Sequence, residues 1–155
     1  DNILQKNYHY YLERTSHGST LSLIVHSRVA ALFNDMNLSM DWFQKALTAD
    51  ISDIQGGTVK EGIHTGLMAG TINIFLASFV GLSFFKEKIS FDPKIPSEWG
   101  KIAFNFTFKN VRYYISFESS KLRINIESTV KENVSIQVSG KDYSLAIGET
   151  TEITL

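Results

Sequence analysis

Hydrophobic and polar residues follow two different periods along this chain, and the change falls near Gly81. Before it, apolar residues recur every three or four positions, which is typical of helices. After it, apolar and polar residues alternate one for one, which is typical of half-buried strands. The pattern therefore predicts an α+β chain with helices in residues 1–81 and a small antiparallel β-sandwich in residues 82–155.

Two helices are predicted over residues 20–34 and 39–49, with Ser19 or Thr20 capping the first and Ser39 the second. The link between them is short, so we expect antiparallel neighbours. Residues 1–18 are rich in tyrosine and are expected to be irregular.

A third helix is predicted to start at a Thr58 cap and to be apolar on nearly every side from Ile63 to Val80, which indicates burial between other elements. Three glycines on one face of it, each costing about 1 kcal/mol of helix propensity, suggest close packing there. Three such helices are too few to bury one another. We therefore expect them to be the last helices of a larger array, and the chain, which starts at Asp1, to be a fragment. The glycines are Gly62, Gly66 and Gly70.

The second half of the chain is divided by short turn sequences such as Lys109-Asn110, Ser119-Ser120 and Ser139-Gly140. Strands this short and evenly spaced predict a sandwich. The alternating segments are 102–108, 111–117, 122–126, 134–138 and 145–147, followed by Ile153 and Leu155.

Composition excludes several function classes. A net charge of −1 gives no indication of nucleic acid or an anionic membrane as partner. The chain has no cysteine, which excludes disulfides and cysteine-bound metals and fits a reducing cytoplasm. The longest apolar run, 67–85, contains Asn73 and two glycines, so it indicates a buried helix rather than a membrane span.

Two predicted helix starts combine a glycine loop, hydroxyl side chains and a histidine. They are Arg14–Ser22, with Gly18 and His17, and Gln55–His64. A helix start offers unpaired N–H groups and the positive end of the dipole, which suits an anion such as phosphate. If both starts face one point in space, the sequence predicts a pocket for a dianion.

Each of these residues also has a structural explanation. Serine and threonine cap most helices without binding a ligand. Glu61 lies three residues after Thr58, which is the spacing of a capping box. A lone histidine such as His64 in an apolar helix is usually a hydrogen-bonded core residue.

Other sites have weaker support. His17, His26 and His64 with Glu61 could be imagined as a metal site, but they lack a metal-binding spacing. A Ser19–His64 nucleophile pair lacks the G-x-S-x-G turn. The aromatic strands could stack on carbohydrate, although alternating phenylalanines more often form a sandwich core.

Five segments, in this order, resemble the C-terminal end of glycoside hydrolase family 65, the family of maltose, trehalose and kojibiose phosphorylases and some related hydrolases. The likeness spans the whole chain and does not single out one substrate. The segments are Tyr10–Ser22, Asp53–Thr58, Glu61–His64, Met68–Thr71 and Ile89–Pro96.

The resemblance implies that residues 1–81 are the terminal helices of an (α/α)6 barrel and that residues 82–155 are the C-terminal β domain. In such phosphorylases a glutamic acid protonates the glycosidic oxygen while inorganic phosphate attacks the anomeric carbon from the opposite face. No segment here matches the motif of that acid, so we expect it upstream and expect this fragment alone to be inactive.

The resemblance also assigns residues to phosphate. Ser19 and Thr20 match the phosphate-binding hydroxyl loop, and His64 matches the histidine that contacts phosphate. Gly57 and Thr58 lie near it. A hydrolase of the same fold would instead need a carboxylate to activate water, and Glu61 is the only nearby candidate.

The function predicted is therefore the phosphate side of an inverting α-glucoside phosphorylase. Its expected partners are a disaccharide, inorganic phosphate as co-substrate, and the preceding part of the same protein, in a cytoplasmic homodimer. No cofactor, metal, nucleic acid or membrane is expected. The alternatives are a family-65 hydrolase and a non-catalytic carbohydrate-binding or structural module.

Overall fold

A computed structural model describes most of the chain and divides it into two compact units, Asp1–Ser78 and Phe79–Leu155. The first unit is helical and the second is built from strands. The described residues are 2–16, 18–53, 58–85, 87–129 and 134–155.

The helical unit contains four α-helices, and the last of them continues into a π-helical turn. In chain order they are α1 (Asn2–Leu12), α2 (Leu21–Leu32), α3 (Met36–Thr48), a 3-10 turn (Thr58–Glu61), α4 (Thr65–Ile74) and the π turn (Phe75–Phe79).

Helix α1 contradicts the expectation of an irregular segment before residue 18. Only Tyr8 of this helix is buried among the described side chains, and its ring stacks on Phe33 with centroids 4.9 Å apart. The other apolar side chains of α1 are exposed or half-buried, so burial leaves little sequence indication of this helix.

Helices α2 and α3 are antiparallel neighbours, as predicted. Leu23 near the start of α2 packs with Ala46 and Ala49 at the end of α3. Further along α2, the Ser27 hydroxyl donates to the Ser39 carbonyl over 2.8 Å, and both serines are fully buried. This bond satisfies polar groups that burial would otherwise leave unpaired.

The predicted cap of α3 was wrong by four residues. The cap is Asp35, whose carboxylate accepts the Leu38 N–H over 3.1 Å, so the helix begins at Met36. Ser39 lies inside the helix and is held by α2 instead. Asp and Ser are both good caps, and tertiary packing decided between them.

The third predicted helix is shorter than expected. It begins at Thr65 with His64 as N-cap, and Thr58 starts the separate 3-10 turn. Gly62 has φ +94 and lies between the two, because only glycine adopts that backbone angle easily. The proposed capping box of Thr58 and Glu61 on this helix is therefore wrong.

The β unit consists of two four-stranded sheets, in the orders β1-β2-β6-β7 and β3-β4-β5-β8. All pairs are antiparallel except β2 with β6, which is parallel. The strands are β1 (Ser83–Phe85), β2 (Lys88–Phe91), β3 (Ile102–Phe108), β4 (Val111–Glu118), β5 (Lys121–Ser128), β6 (Val134–Val138), β7 (Lys141–Leu145) and β8 (Thr150–Thr154).

The α+β class and the sandwich are confirmed, with two differences. Strands β1 and β2 did not appear in the alternating pattern, and β7 runs earlier than the predicted 145–147. The turns at 109–110 and 119–120 have positive φ at both residues, which suits two-residue hairpins.

The core of the β unit uses every second residue of its central strands, as the pattern predicts. Alternate side chains of β3 are only half-buried, because β3 lies at the edge of its sheet. The buried positions of β4 and β5 are Val111, Tyr113, Ile115, Phe117, Leu122, Ile124 and Ile126.

Across the described residues, no helix combines the length and apolar content that crossing a membrane requires.

Candidate functional site

Helices α2 and α4 pack side by side through the small residues of α4. A Cβ atom added at Gly66 would lie 3.6 Å from the Leu21 side chain. One turn later, a Cβ at Gly70 would overlap the Ile24 side chain. Gly66 and Gly70 thus mark a helix contact, in which the neighbours are side chains. The prediction was wrong for Gly62, which lies before α4 and has nothing within 4 Å of an added Cβ.

The direction of the two helices follows from the order of their contacts. Beyond the end of α4, the carbonyl of Ala77 and the hydroxyl of Ser78 accept hydrogen bonds of 2.7 Å and 3.1 Å from Arg28, in the last turns of α2. Contacts therefore advance from start to end along both helices. The helices are parallel, and their N-termini lie at the same end of the unit.

The start of α2 contains the first predicted hydroxyl pair. Thr20 is the N-cap residue, but its side chain makes no capping hydrogen bond and it is only 5% exposed. Ser19 is exposed, and its Oγ lies 3.4 Å from the Leu21 N–H, a long contact. Ser19 therefore presents a hydroxyl at the helix start, while Thr20 is enclosed beside it.

The start of α4 is held by two contacts between His64 and Asp50 that the sequence pattern did not indicate. Asp50, just after α3, accepts the His64 N–H through Oδ2 over 2.9 Å. Its Oδ1 lies 2.6 Å from His64 Nδ1. A partner 14 residues away leaves no periodic signal in the sequence, so this pairing could not be predicted.

The second ring nitrogen of His64 faces a different carboxylate. Nε2 lies 3.3 Å from Oε2 of Glu61, whose side chain is 69% exposed. The hydrogen bond with Asp50, followed by that with Glu61, raises the pKa of His64 above its ordinary value. A raised pKa favours an imidazolium, which is the form that can donate to an anion from both nitrogens.

The predicted site residues are thus only partly described. Ser19 and Thr20 lie at the start of α2, and His64 lies at the start of α4. Thr58 begins the 3-10 turn, one turn before α4. Gly57 lies outside the described residues, as does His17, so their positions remain predictions.

The structure also bears on the metal alternative. His26 is buried in α2, where its ring lies 5.4 Å from that of Trp42, so it packs in the helical core. Among the described residues, no group of three or more acidic or histidine side chains is arranged to hold a metal ion.

Two family models match this chain. The model described as the glycosyl hydrolase family 65 central catalytic domain matches residues 1–73. The model described as the glycosyl hydrolase family 65 C-terminal domain matches residues 82–145.

Individual relatives give the same picture. An uncharacterized glycosyl hydrolase of Mycobacterium tuberculosis is 35% identical over 144 residues, which are 93% of this chain and 11% of that protein. Trehalose 6-phosphate phosphorylase of Lactococcus lactis is 32% identical over 155 residues, which are 100% of this chain and 20% of that enzyme. The solved structure of a candidate kojibiose phosphorylase from the human microbiome superposes with a TM-score of 0.81 and 29% identity, covering 98% of this chain and 22% of its own.

These matches define a carbohydrate-active family with a helical catalytic domain followed by a β domain. The chain belongs to glycosyl hydrolase family 65, and it carries the end of the catalytic domain and the C-terminal domain. It spans between about a tenth and a fifth of the length of the first relatives.

Proposed function

We propose that this chain is the C-terminal part of an inverting disaccharide phosphorylase and supplies the phosphate side of its active site. The observation that carries the proposal is the parallel packing of α2 and α4, which brings Ser19 and His64 to the same end of the unit. Two helix dipoles then point their positive ends in one direction. That relatives are named phosphorylases supports the same reaction class.

In the proposed phosphorolysis, these residues need only bind phosphate and offset its charge. A phosphate oxygen attacks the anomeric carbon of an α-glucoside as the glycosidic bond breaks, and the bonding pair goes to the leaving oxygen, which an upstream acid protonates. Phosphate is already nucleophilic, so no base is needed. The protein must only hold the anion in line with the bond and offset its charge. Helix N–H groups, the Ser19 hydroxyl and an imidazolium can do this.

Glu61 is the charge that opposes phosphate. Its carboxylate occupies the Nε2 side of His64, where we propose that the anion binds. Because Glu61 is largely exposed, its contact is weak and screened by water. Phosphate can therefore take its place, and the Glu61 side chain can turn into solvent.

The direct test uses the full-length protein with trehalose, kojibiose and their phosphorylated forms as probes, with and without inorganic phosphate. Cleavage should require phosphate and yield a sugar phosphate. Ser19→Ala and His64→Ala should raise the KM for phosphate about tenfold or more, the loss expected for a hydrogen bond to a charged group. The KM for disaccharide should change much less.

A matched control is His9→Ala, which removes an exposed histidine of α1. It should leave the phosphate KM unchanged. Cleavage that ignores phosphate and releases only free sugars would contradict the proposed reaction. A rise in the disaccharide KM alone would contradict the roles of Ser19 and His64.

A family-65 hydrolase is the second candidate, and one observation favours it. Since α4 starts at Thr65, Glu61 does not cap that helix and remains an exposed carboxylate beside His64. A carboxylate there could activate water. In that case Glu61→Gln would abolish phosphate-independent hydrolysis; for a phosphorylase, it should leave phosphate-dependent cleavage intact.

We also propose that the preceding part of the same protein covers the helical unit and supplies the general acid. The helical unit contains twelve of the fifteen large hydrophobic side chains that are exposed among the described residues. Such density of exposed apolar surface is typical of an interface. We further propose that the protein acts in the cytoplasm, with inorganic phosphate as co-substrate and without a cofactor.

A further inference from the structure

We infer that Asp50 is a positioning residue for the anion site, because it fixes which ring nitrogen of His64 is left to face the ligand. The inference rests on the proposed function, since it takes phosphate as that ligand. It adds a residue that neither the sequence pattern nor the family resemblance indicated.

Asp50 contacts His64 at two points, its backbone N–H and its ring. One Asp50 oxygen accepts the backbone N–H of His64 over 2.9 Å, and the other lies 2.6 Å from Nδ1 of its ring. The Asp50 side chain is only 12% exposed, against 69% for Glu61 on the other side of the ring. The inner carboxylate is therefore held in place, whereas the outer one is free to move.

The contact with Asp50 determines the hydrogen-bonding role of each ring nitrogen of His64. An ionised carboxylate only accepts, so Nδ1 must carry a proton and donate it to Asp50. Nε2 is then the nitrogen that faces outward. In the neutral ring it would be an acceptor and would repel phosphate oxygens, but in the imidazolium it donates.

Asp50 also favours the imidazolium form of His64, in which Nε2 donates a hydrogen bond. Two carboxylates face the ring, Asp50 from the end of α3 and Glu61 from the 3-10 turn, and both raise the pKa of His64, with the Asp50 hydrogen bond as the largest cause. When phosphate displaces Glu61, Asp50 still balances the charge of the ring. Histidines at functional sites are commonly oriented by such a partner on the second nitrogen.

The test is calorimetric titration of the full-length protein with inorganic phosphate, which needs no knowledge of the disaccharide. The variants are Asp50→Asn, which keeps the shape but removes the charge, His64→Ala and the double variant. Asp50→Asn should weaken phosphate binding about tenfold or more at neutral pH. The weakening should grow as the pH rises, because more of the ring becomes neutral. His64→Ala shows how much pH dependence comes from phosphate itself.

The double variant separates positioning from damage to the fold. If Asp50 acts through His64, the double variant should bind phosphate as His64→Ala does. A further loss in the double variant would overturn the inference. Glu61→Gln is the matched control, and it should bind phosphate as tightly as the unmodified protein or more tightly. If Glu61→Gln weakens binding as much as Asp50→Asn, general charge near the ring explains both and the inference fails.

The two proposals fail in different ways. Unchanged phosphate binding in His64→Ala would remove the proposed function and this inference with it. Weakened binding in His64→Ala with unchanged binding in Asp50→Asn would remove only the role of Asp50.

Discussion

The two units of this chain differ in how completely they bury their apolar surface. The β unit encloses its core, and of its large hydrophobic side chains among the described residues only Phe84, Phe85 and Leu155 are exposed. The helical unit centres on a small cluster of Leu23, Ala46, Ala49 and Leu67. Twelve of its large hydrophobic side chains are exposed among the described residues. The β unit therefore has a self-contained core, whereas the helical unit leaves more of its large apolar side chains exposed.

The most completely buried core and the candidate functional site therefore lie in different units. The candidate phosphate site lies at one end of the helical unit, where helix starts and charged side chains meet. Its geometry depends on a few contacts, such as Gly70 against Ile24 and Asp50 against His64. Because so few contacts hold the site, the loss of one of them should change its geometry.

The largest expected effect is in the β core. Phe91 is 1% exposed, and Phe91→Ala should lower the free energy of unfolding of the β unit by about 3–5 kcal/mol. Urea unfolding followed by Trp99 fluorescence measures this. Phe85→Ala, at a position 68% exposed, is the control and should cost far less. Equal losses would mean that the β unit is not a self-contained core.

A second prediction concerns the helix contact that aligns the site. Gly70→Ala should destabilise the helical unit by about 1–3 kcal/mol, because its Cβ overlaps Ile24, and this outweighs the gain in helix propensity. It should also raise the phosphate KM of the full-length protein. Gly66→Ala, with ordinary contact to Leu21, is the matched control, and helix propensity should stabilise it by at most about 1 kcal/mol. Gly70→Ala behaving like Gly66→Ala would contradict close packing.

Local patterns in the sequence predicted some of these helices and strands but not others. Period-two alternation predicted the central strands because one sheet face is buried, and helical spacing predicted α2. Helix α1 was missed because little of its apolar surface is buried. The start of α4 was misplaced because Thr58 looks like a cap, whereas the observed start depends on Asp50, a partner distant in sequence. Long-range pairing of this kind leaves no local pattern.

A third and smaller effect is pH dependence of stability in the helical unit. The pKa of His64 is raised in the folded chain, so its pairing contributes stability that is fully present below the unfolded pKa near 6.5. That contribution is lost as pH rises through the raised folded pKa. Urea unfolding across this range should show a fall with rising pH that His64→Ala abolishes. His9→Ala should retain the fall, and a fall that survives in His64→Ala would assign it elsewhere.

The smallest expected change in unfolding free energy of the 155-residue chain is at Ile72. It tests the proposal that the preceding part of the protein covers the exposed apolar side chains of the helical unit. Ile72 is 62% exposed, so Ile72→Ser should change the free energy of unfolding by no more than about 0.5 kcal/mol. In the full-length protein the same substitution should cost about 2 kcal/mol, because the side chain is then buried. Thermal unfolding of both forms provides the comparison. Equal small losses in both would show that the face stays exposed.

We propose that the starts of α2 and α4 form one anion site. A crystal structure of the full-length protein soaked with arsenate, located by anomalous scattering, would show directly where the anion binds. We expect an arsenic peak between the two helix starts, with oxygens about 3 Å from Ser19 Oγ and His64 Nε2 and with Glu61 turned away. Arsenate bound elsewhere in the catalytic domain, with Glu61 still on His64, would contradict it.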